Sequence, residues 1–408
     1  MKTPWKLGLI AALAAGSLSS CPVTRAAAEQ GGQSALQARS ANRRCPSRDA
    51  VNATLGTASI LMSQAQFQDA VKALKPLEEP GCDPRASLLF AAAIDAQGDT
   101  TQATEALERA HGVWPSNTSI AASLAREYMS VGQTDKASIA LKHFVVSAAT
   151  PQQELEEAAL VYFAAHRLEA AHAAAAAAYK SYPSLHTLLL LANALQLEGR
   201  YPDVNRLLAD QRETYADSPE FFITLAESES DAGIFPQART DLEQAIVLEP
   251  KSPQAHYLLG YVRLRMNDAD AAIGEFHTAI DLGFEQPRTY YQLALALRSK
   301  QDEAGEEQAL NSALAVDVHY APAQCEMGRI LLEQHRPADA VNHLEAAVKY
   351  NPRAEEGYFL LAKAYAGLGE KDRSDEMVRR LVAVRKENRT TATNKSETMP
   401  AEDQSARP

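Results

Sequence analysis

Aromatic side chains are scarce in this chain, at 6% of 408 residues, and tryptophan occurs only twice. No stretch alternates apolar and polar residues for the length of a strand, which excludes a half-buried sheet. The spacings that assemble common catalytic sites are missing as well: there is no HExxH, CxxC, GxSxG, Walker-type phosphate loop or GxGxxG. The nearest approach, Gly367-Leu368-Gly369-Glu370-Lys371-Asp372, lacks the third glycine and follows a helical pattern where a nucleotide loop would follow a strand. The ten histidines are scattered. His166 and His172 are six residues apart, and His335 and His343 eight, not the four that would put two rings on one helix face. They read as structural or solvent-facing side chains, and neither a metal nor another cofactor is expected. Positive charge is also short, with 40 Lys and Arg against 52 Asp and Glu and a net charge of −12. Binding to phosphates needs a basic surface, so nucleic acid is not an expected partner. The same acidity gives no reason to lie on an anionic bilayer. Carboxylate runs such as Glu154-Glu156-Glu157 and Glu303-Glu306-Glu307 read as solvated helix faces.

What the chain has in quantity is alanine and leucine, which lose little side-chain freedom in a helix. It opens on an export signal. Lys2 and Lys6 precede the apolar run Leu7 to Leu18, which falls short of the about 20 residues that span a bilayer but suits a signal core. Two cleavage sites compete. Ala26-Ala27-Ala28 before Glu29 is the small-x-small pattern of plain cleavage, making residues 1–28 the signal. Leu18-Ser19-Ser20-Cys21 resembles a bacterial lipobox, which would leave a lipidated Cys21 at the N-terminus of an outer-membrane lipoprotein. Pro22 is unusual after a lipidated cysteine and favours the plain signal. The Ala173 to Ala178 run lies between His172 and Tyr179-Lys180 and reads as close helix packing, so no span is expected in the mature chain. The expected location is the periplasm or cell envelope.

Internal repetition is the strongest signal. Ala255-His256-Tyr257-Leu258-Leu259-Gly260 is echoed thirty-four residues later by Thr289-Tyr290-Tyr291-Gln292-Leu293-Ala294. Equal steps reach Ala323-Gln324-Cys325-Glu326-Met327-Gly328 and Gly357-Tyr358-Phe359-Leu360-Leu361-Ala362. Downstream, Ala272, Phe276 and Ala279 align with Ala340, Leu344 and Ala347, and Pro115, Pro183, Pro250 and Pro352 punctuate the unit ends. This resembles the tetratricopeptide repeat, a helix-turn-helix unit of 34 residues. Its pattern recurs in Phe222, Leu225-Ala226, Ala238, Leu242, Ala245 and Pro250, and in Phe90-Ala91, Ile94, Gly98, Ala103, Leu107, Ala110 and Pro115. In this register units start at 51, 84, 118, 152, 185, 219, 253, 287, 321 and 355. The resemblance implies an all-α, right-handed superhelical solenoid of about ten such repeats, because one helix pair cannot bury both its faces and so stacks on its neighbours.

The register also assigns parts. Gly98, Gly132, Gly199, Gly233 and Gly369 fall where the first helix of a unit should stop. Residues 51–184 form an N-terminal set of repeats and 185–385 a C-terminal set ending in a capping helix. Alanines in place of large residues in 152–184, and Val204 and Gln211 in place of small ones, predict an irregular joint near 150–215. Residues 29–50 read as a flexible leader and 386–408 as a disordered tail. Cys45 and Cys82 bracket the first helix pair, where a disulfide would pin the start of the array; the alternative is two unrelated thiols. Cys325 reads as a small hydrophobe in a helix.

In tetratricopeptide proteins the first helices line a concave groove that holds peptides. That register presents Leu189, Asn193 and Gln196, then Ile223, Glu227 and Ser230, then Tyr257, Tyr261 and Leu264. It continues through Tyr291, Leu295 and Arg298, then Cys325, Arg329 and Leu332, to Phe359 and Lys363. Tyr257, Tyr261, Tyr291 and Phe359 make an aromatic track accompanied by Arg298, Arg329 and Lys363, suited to a segment with apolar anchors and some acidic groups. The alternative is that the tyrosines only pack between units. The lysine–asparagine clamp of the family is not matched, since Leu189 precedes Asn193 where a lysine would stand. The expected function is a non-catalytic scaffold or adaptor in a bacterial envelope that binds protein or peptide partners. The alternative is an accessory subunit that recruits substrates for an envelope protease or glycosyltransferase.

Overall fold

A computed structural model describes residues 45–77, 82–147 and 149–397, with side chains as far as residue 390. The predicted signal, the candidate lipidation site Cys21, residues 29–44 of the predicted leader and the predicted tail from 398 lie outside the described residues. Within them the protein is all-α, without a strand. Helices come in antiparallel pairs. In the first unit the pairs are α1 (Arg48–Ser63) with α2 (Phe67–Leu74), α3 (Pro84–Asp95) with α4 (Thr100–Val113), and α5 (Thr118–Ser130) with α6 (Thr134–Ala140). They continue as α7 (Gln152–Ala164) with α8 (Leu168–Ser181) and α9 (Leu185–Glu198) with α10 (Tyr201–Ala209). In the second unit α11 (Pro219–Asp231) pairs with α12 (Phe235–Leu248), and α13 (Pro253–Arg265) with α14 (Ala269–Asp281). Then follow α15 (Pro287–Ser299) with α16 (Glu303–Val316), α17 (Ala321–Glu333) with α18 (Pro337–Tyr350), and α19 (Glu355–Gly367) with α20 (Lys371–Glu397). From α3 onward, each first helix begins on the residue at which the repeat register places a unit start.

Local chemistry explains these boundaries. Asp83, Asn117, Ser184 and Ser218 cap first helices by accepting from backbone N–H groups, and Pro84, Pro219, Pro253 and Pro287 occupy first-turn positions where no N–H is needed. Every turn inside a pair closes the same way. An N–H beyond the turn reaches back to a carbonyl of the last helical turn, as in Arg200 N to Leu195 O at 2.9 Å and Arg336 N to Leu331 O at 2.8 Å. The residue that permits this has positive φ. Gly98, Gly132, Gly199, Gly233 and Gly369 supply it in five pairs, and Ala65, His166, Asn267, Gln301 and His335 adopt it in the other five despite their Cβ atoms.

The core follows one rule. The eighth residue of each unit is Gly or Ala, and the twenty-fourth leans on it from the second helix. Phe276 lies over Gly260, so closely that a Cβ on Gly260 would stand 2.8 Å from the ring. In the alanine-rich pair, Ala175 takes the place of that ring, and Ala171, Ala174, Ala175 and Ala178 are fully buried, which means that α7 and α8 approach closely.

The chain divides into two compact units between Asp210 and Gln211. The sub-array boundary read from sequence, 184/185, therefore lies inside the first unit. The division comes where α10 stops at Ala209 and turns replace the rest of its second helix, with Val204 and Leu208 still buried. A second irregularity follows the seven-residue α6, where a 3-10 turn over Leu141–His143 and residues 144–147 without regular structure stand in place of the rest of a second helix. Two further boundaries are corrected. Order begins earlier than the predicted leader allows, since Cys45 is bonded and α1 starts at Arg48. The C-terminal helix does not end at 385 but runs to Glu397. Arg385 donates to Glu355 at 2.9 Å and Asn388 to the Arg353 carbonyl at 3.2 Å, so polar residues without an apolar stripe are anchored on the preceding helix.

Candidate functional site

In the second unit the first helices α11, α13, α15, α17 and α19 carry the predicted track, and bonds between neighbours bind it together. Gln254 on α13 donates to Glu227 on α11 at 2.9 Å. Tyr257 is buried, its ring 6.1 Å from Phe276 and 5.3 Å from Phe284. The Arg288 guanidinium lies 4.8 Å above the Tyr257 ring and 5.1 Å from that of Phe284, a cation held between two aromatic faces. Burial lowers the Arg288 pKa, against the favourable charges of Tyr257 and Glu227. One repeat on, Tyr291 meets Tyr320 edge to face at 5.9 Å. Burial pushes the Tyr257 and Tyr291 hydroxyls up to about 12 and raises that of Tyr320, so all three remain neutral donors at physiological pH.

The two arginines of the track are not the open cations expected. Arg298 bonds Glu326 at 2.8 Å, and Arg329 bonds the same carboxylate at 2.6 Å. Arg329 also bonds Glu333 at 2.8 Å and the buried Glu306. Burial opposes the Arg329 charge, but the hydrogen bonds that it donates to Glu326 and Glu333 outweigh it and raise its pKa. Arg329 is thus the centre of a structural ion network joining α16 and α17, where low polarity makes one missing member costly. Phe359 and Lys363 on α19 are exposed, Phe359 at 59%. Cys325 is half-buried with its thiol pushed up to about 12 by burial, which leaves it unreactive. The accessible part of the track is therefore Tyr261, Tyr291, Tyr320 and Phe359, with Tyr257 and Arg288 beneath.

Phe284, Arg288 and Tyr320 are the members that sequence reasoning missed. Arg288 lies one helical turn before Tyr291, so extending the stripe backwards reaches it. Phe284 and Tyr320 sit in the loops ahead of α15 and α17, outside any helical period.

The first unit presents different chemistry on its first helices. Glu127 on α5 is buried, and burial with the charge of Asp95 raises its pKa. Burial likewise raises Glu157, which Arg126 bonds at 2.9 Å. Glu156 faces His186 at 3.5 Å. Cys45 and Cys82 form a disulfide with Cα atoms 5.5 Å apart, tying the residues before α1 to those before α3. Among the described residues no three His, Cys, Asp or Glu side chains gather as metal ligands, and no helix is long and apolar enough to cross a membrane.

The sequence profile described as Tetratricopeptide repeat matches residues 82–311, more than half of the chain, and a second profile of the same description matches 325–381. The chain belongs to the tetratricopeptide repeat family. Such arrays are typically non-catalytic modules for protein–protein interaction. No curated protein sequence matches this tetratricopeptide protein. Solved structures similar to it include a tetratricopeptide repeat protein from Parabacteroides merdae, at 14% identity and a TM-score of 0.46 over 57% of this chain and 93% of that one. PilW, a type IV pilus biogenesis factor, is 17% identical with a TM-score of 0.45, covering 48% of this chain and 92% of its own. YrrB, described as having an unusual peptide-binding site, is 17% identical with a TM-score of 0.37, covering 46% and 97%. Likeness at this level identifies no partner.

Proposed function

We propose that this protein is a non-catalytic scaffold, exported to the periplasm or envelope, that holds an extended protein segment on the first-helix face of its second unit. The observation that carries the reading is the run of ring contacts on successive repeats, with Arg288 over Tyr257 and Phe284 and, one repeat on, Tyr291 edge to face with Tyr320. Rings that are held by packing give up little freedom on binding, and tyrosine and arginine are the usual anchors of protein interfaces. The neutral hydroxyls at the rim offer hydrogen bonds to a peptide backbone, and the exposed Phe359 extends the apolar track by one repeat. A segment with apolar or aromatic anchors fits this face better than an acidic one, because Arg298 and Arg329 are already neutralised by Glu326, Glu306 and Glu333.

Export is supported by the basic-then-apolar N-terminus and by the Cys45–Cys82 disulfide, a bond characteristic of oxidising compartments. Plain cleavage after Ala28 and lipidation at Cys21 both suit an envelope location, and intact mass of the mature protein distinguishes them. The binding reading is tested by photo-crosslinkers placed at Tyr261 and Tyr291 in intact cells. Adducts with a defined protein, lost in a Tyr320→Ala and Phe359→Ala double variant that retains its melting temperature, are the expected result. Equal adduct yield in that variant, or adducts only from sites on second helices, would place the interface elsewhere.

A further inference from the structure

The repeats allow each position to be compared with its nine or so counterparts, and two positions depart from the rest only at the ends. The tenth residue of a unit is buried in every repeat from Ala93 to Ala364, at 6% exposure or less. In the first repeat it is Ile60, 59% exposed. The twenty-fourth residue is buried at 2% or less in every repeat from Leu74 to Leu344. In the last repeat it is Val378, 47% exposed. Buried inside the array and exposed only at its ends, these positions point to cover from the adjoining repeat, the tenth from the one before and the twenty-fourth from the one after, beside the contact that the twenty-fourth makes within its own pair. Yet the chain keeps β-branched apolar side chains at both ends, where a terminal repeat normally turns a polar face to water.

The contact that is missing at the ends is visible inside the array. Val348 on α18 packs on the next first helix, its Cγ1 3.0 Å from where a Cβ of Gly357 would stand. One repeat later the residue in that place is Val382 on α20, 62% exposed. The counterpart of Gly357 in the first repeat is Ala53 on α1, small and exposed, although the same position is buried in every other repeat except at Glu154. Each end thus carries one half of the second-helix to first-helix packing that joins consecutive repeats within the units.

We propose that the occupant of both faces is a second copy of this chain, with α20 of one copy packing on α1 of the next. Val378 and Val382 then cover Ile60 and Ala53, with Val382 placed as Val348 is on the following helix within the array. The contact is heterologous, so each copy keeps one free end and assembly runs head to tail in a chain or ring. Apolar area is what it removes from water, so the association should strengthen with kosmotropic salt. It leaves the first-helix face of the second unit open, and it stands independently of what binds there.

Sedimentation velocity of the full mature protein, from dilute to concentrated solution, tests this. The parent should show mass growing with concentration. Ile60→Asp and Val382→Asp alter exposed side chains, so helix content and melting temperature should match the parent while each variant alone sediments as a monomer. An equal mixture of the two should give dimers and nothing larger, because the first variant keeps a working α20 and the second a working α1. A parent that is monomeric at every concentration overturns the proposal. So do oligomers that persist in Val382→Asp, which would signify contact between two first helices, and a mixture that fails to dimerise.

Discussion

In α8 the residue opposite Ala159 is Ala175, whereas in α14 the residue opposite Gly260 is Phe276, and all four are buried. The same two repeat positions are filled in opposite ways. In the repeat of α13 and α14 the ring lies over a glycine that has no Cβ, whereas in that of α7 and α8 both positions are alanine; the remaining repeats carry Leu or Val on the second helix. The second unit keeps a 34-residue step throughout its last four repeats and long second helices, while the first interrupts them at α6 and α10. Regular spacing there accompanies the aromatic face, and irregular spacing the carboxylate-rich one. The constant 34-residue step lets side chains from successive repeats, such as Tyr257 and Arg288, meet in register.

The comparison is broken most strongly by exchanging the two cores. Phe276→Ala should destabilise the second unit by about 3–5 kcal/mol, through lost burial and the cavity left over Gly260, measured by urea unfolding followed by circular dichroism. A pH effect centred on Glu229 of the second unit should come next. Glu229 on α11 is buried beside Asp241, and burial, with that neighbouring charge, lifts its carboxyl from 4.5 to about 8. The folded unit then keeps a proton that the unfolded chain has released, so stability falls as pH rises between those values and levels off above them. Glu229→Gln should flatten that slope in melts recorded across the window; an unchanged slope would assign it to another group.

Reducing Cys45–Cys82 should cost the first unit about 2–4 kcal/mol and leave the second unchanged, which limited proteolysis with and without reductant resolves by fragment. Ala175→Leu should cost the first unit about 1–3 kcal/mol by overpacking, the reverse of the size preference at Phe276. The smallest contrast is in the turns. His335→Gly relieves a positive φ and should stabilise by up to about 1 kcal/mol, whereas Gly369→Ala imposes one and should destabilise by a similar amount. Paired thermal melts check the two signs.

Much of this was legible in one dimension. The step from Gly260 to Ala294, Gly328 and Ala362 located every first helix from α3 onward, because a repeat fold needs the same small residue at each close approach. The five turn glycines were readable for their φ, but Ala65, His166, Asn267, Gln301 and His335 were not, since these side chains do not announce a positive φ as glycine does. The site was half legible. Tyr257, Tyr261 and Tyr291 lie in the helical register, whereas Phe284 and Tyr320 belong to loops. Two of the ties on Arg329, Glu326 and Glu333, lie at helical spacing on its own helix, but the third, Glu306, comes from another helix twenty-three residues away. The C-terminal helix outran its apolar stripe because Arg385 and Asn388 found polar partners on and just before α19.

The sequence by itself determined the repeat, its length, its helical class and the positions where helices touch, because those depend on short-range spacing and on which side chains are small. The tertiary structure decided which tyrosines are buried and which accessible, and that the two arginines are already paired. It also showed that Ile60 and Val378, ordinary core residues everywhere else in the array, lie in the open at its ends. Burial depends on what stands next to a residue in space, and that cannot be read from the residue's place in a repeat.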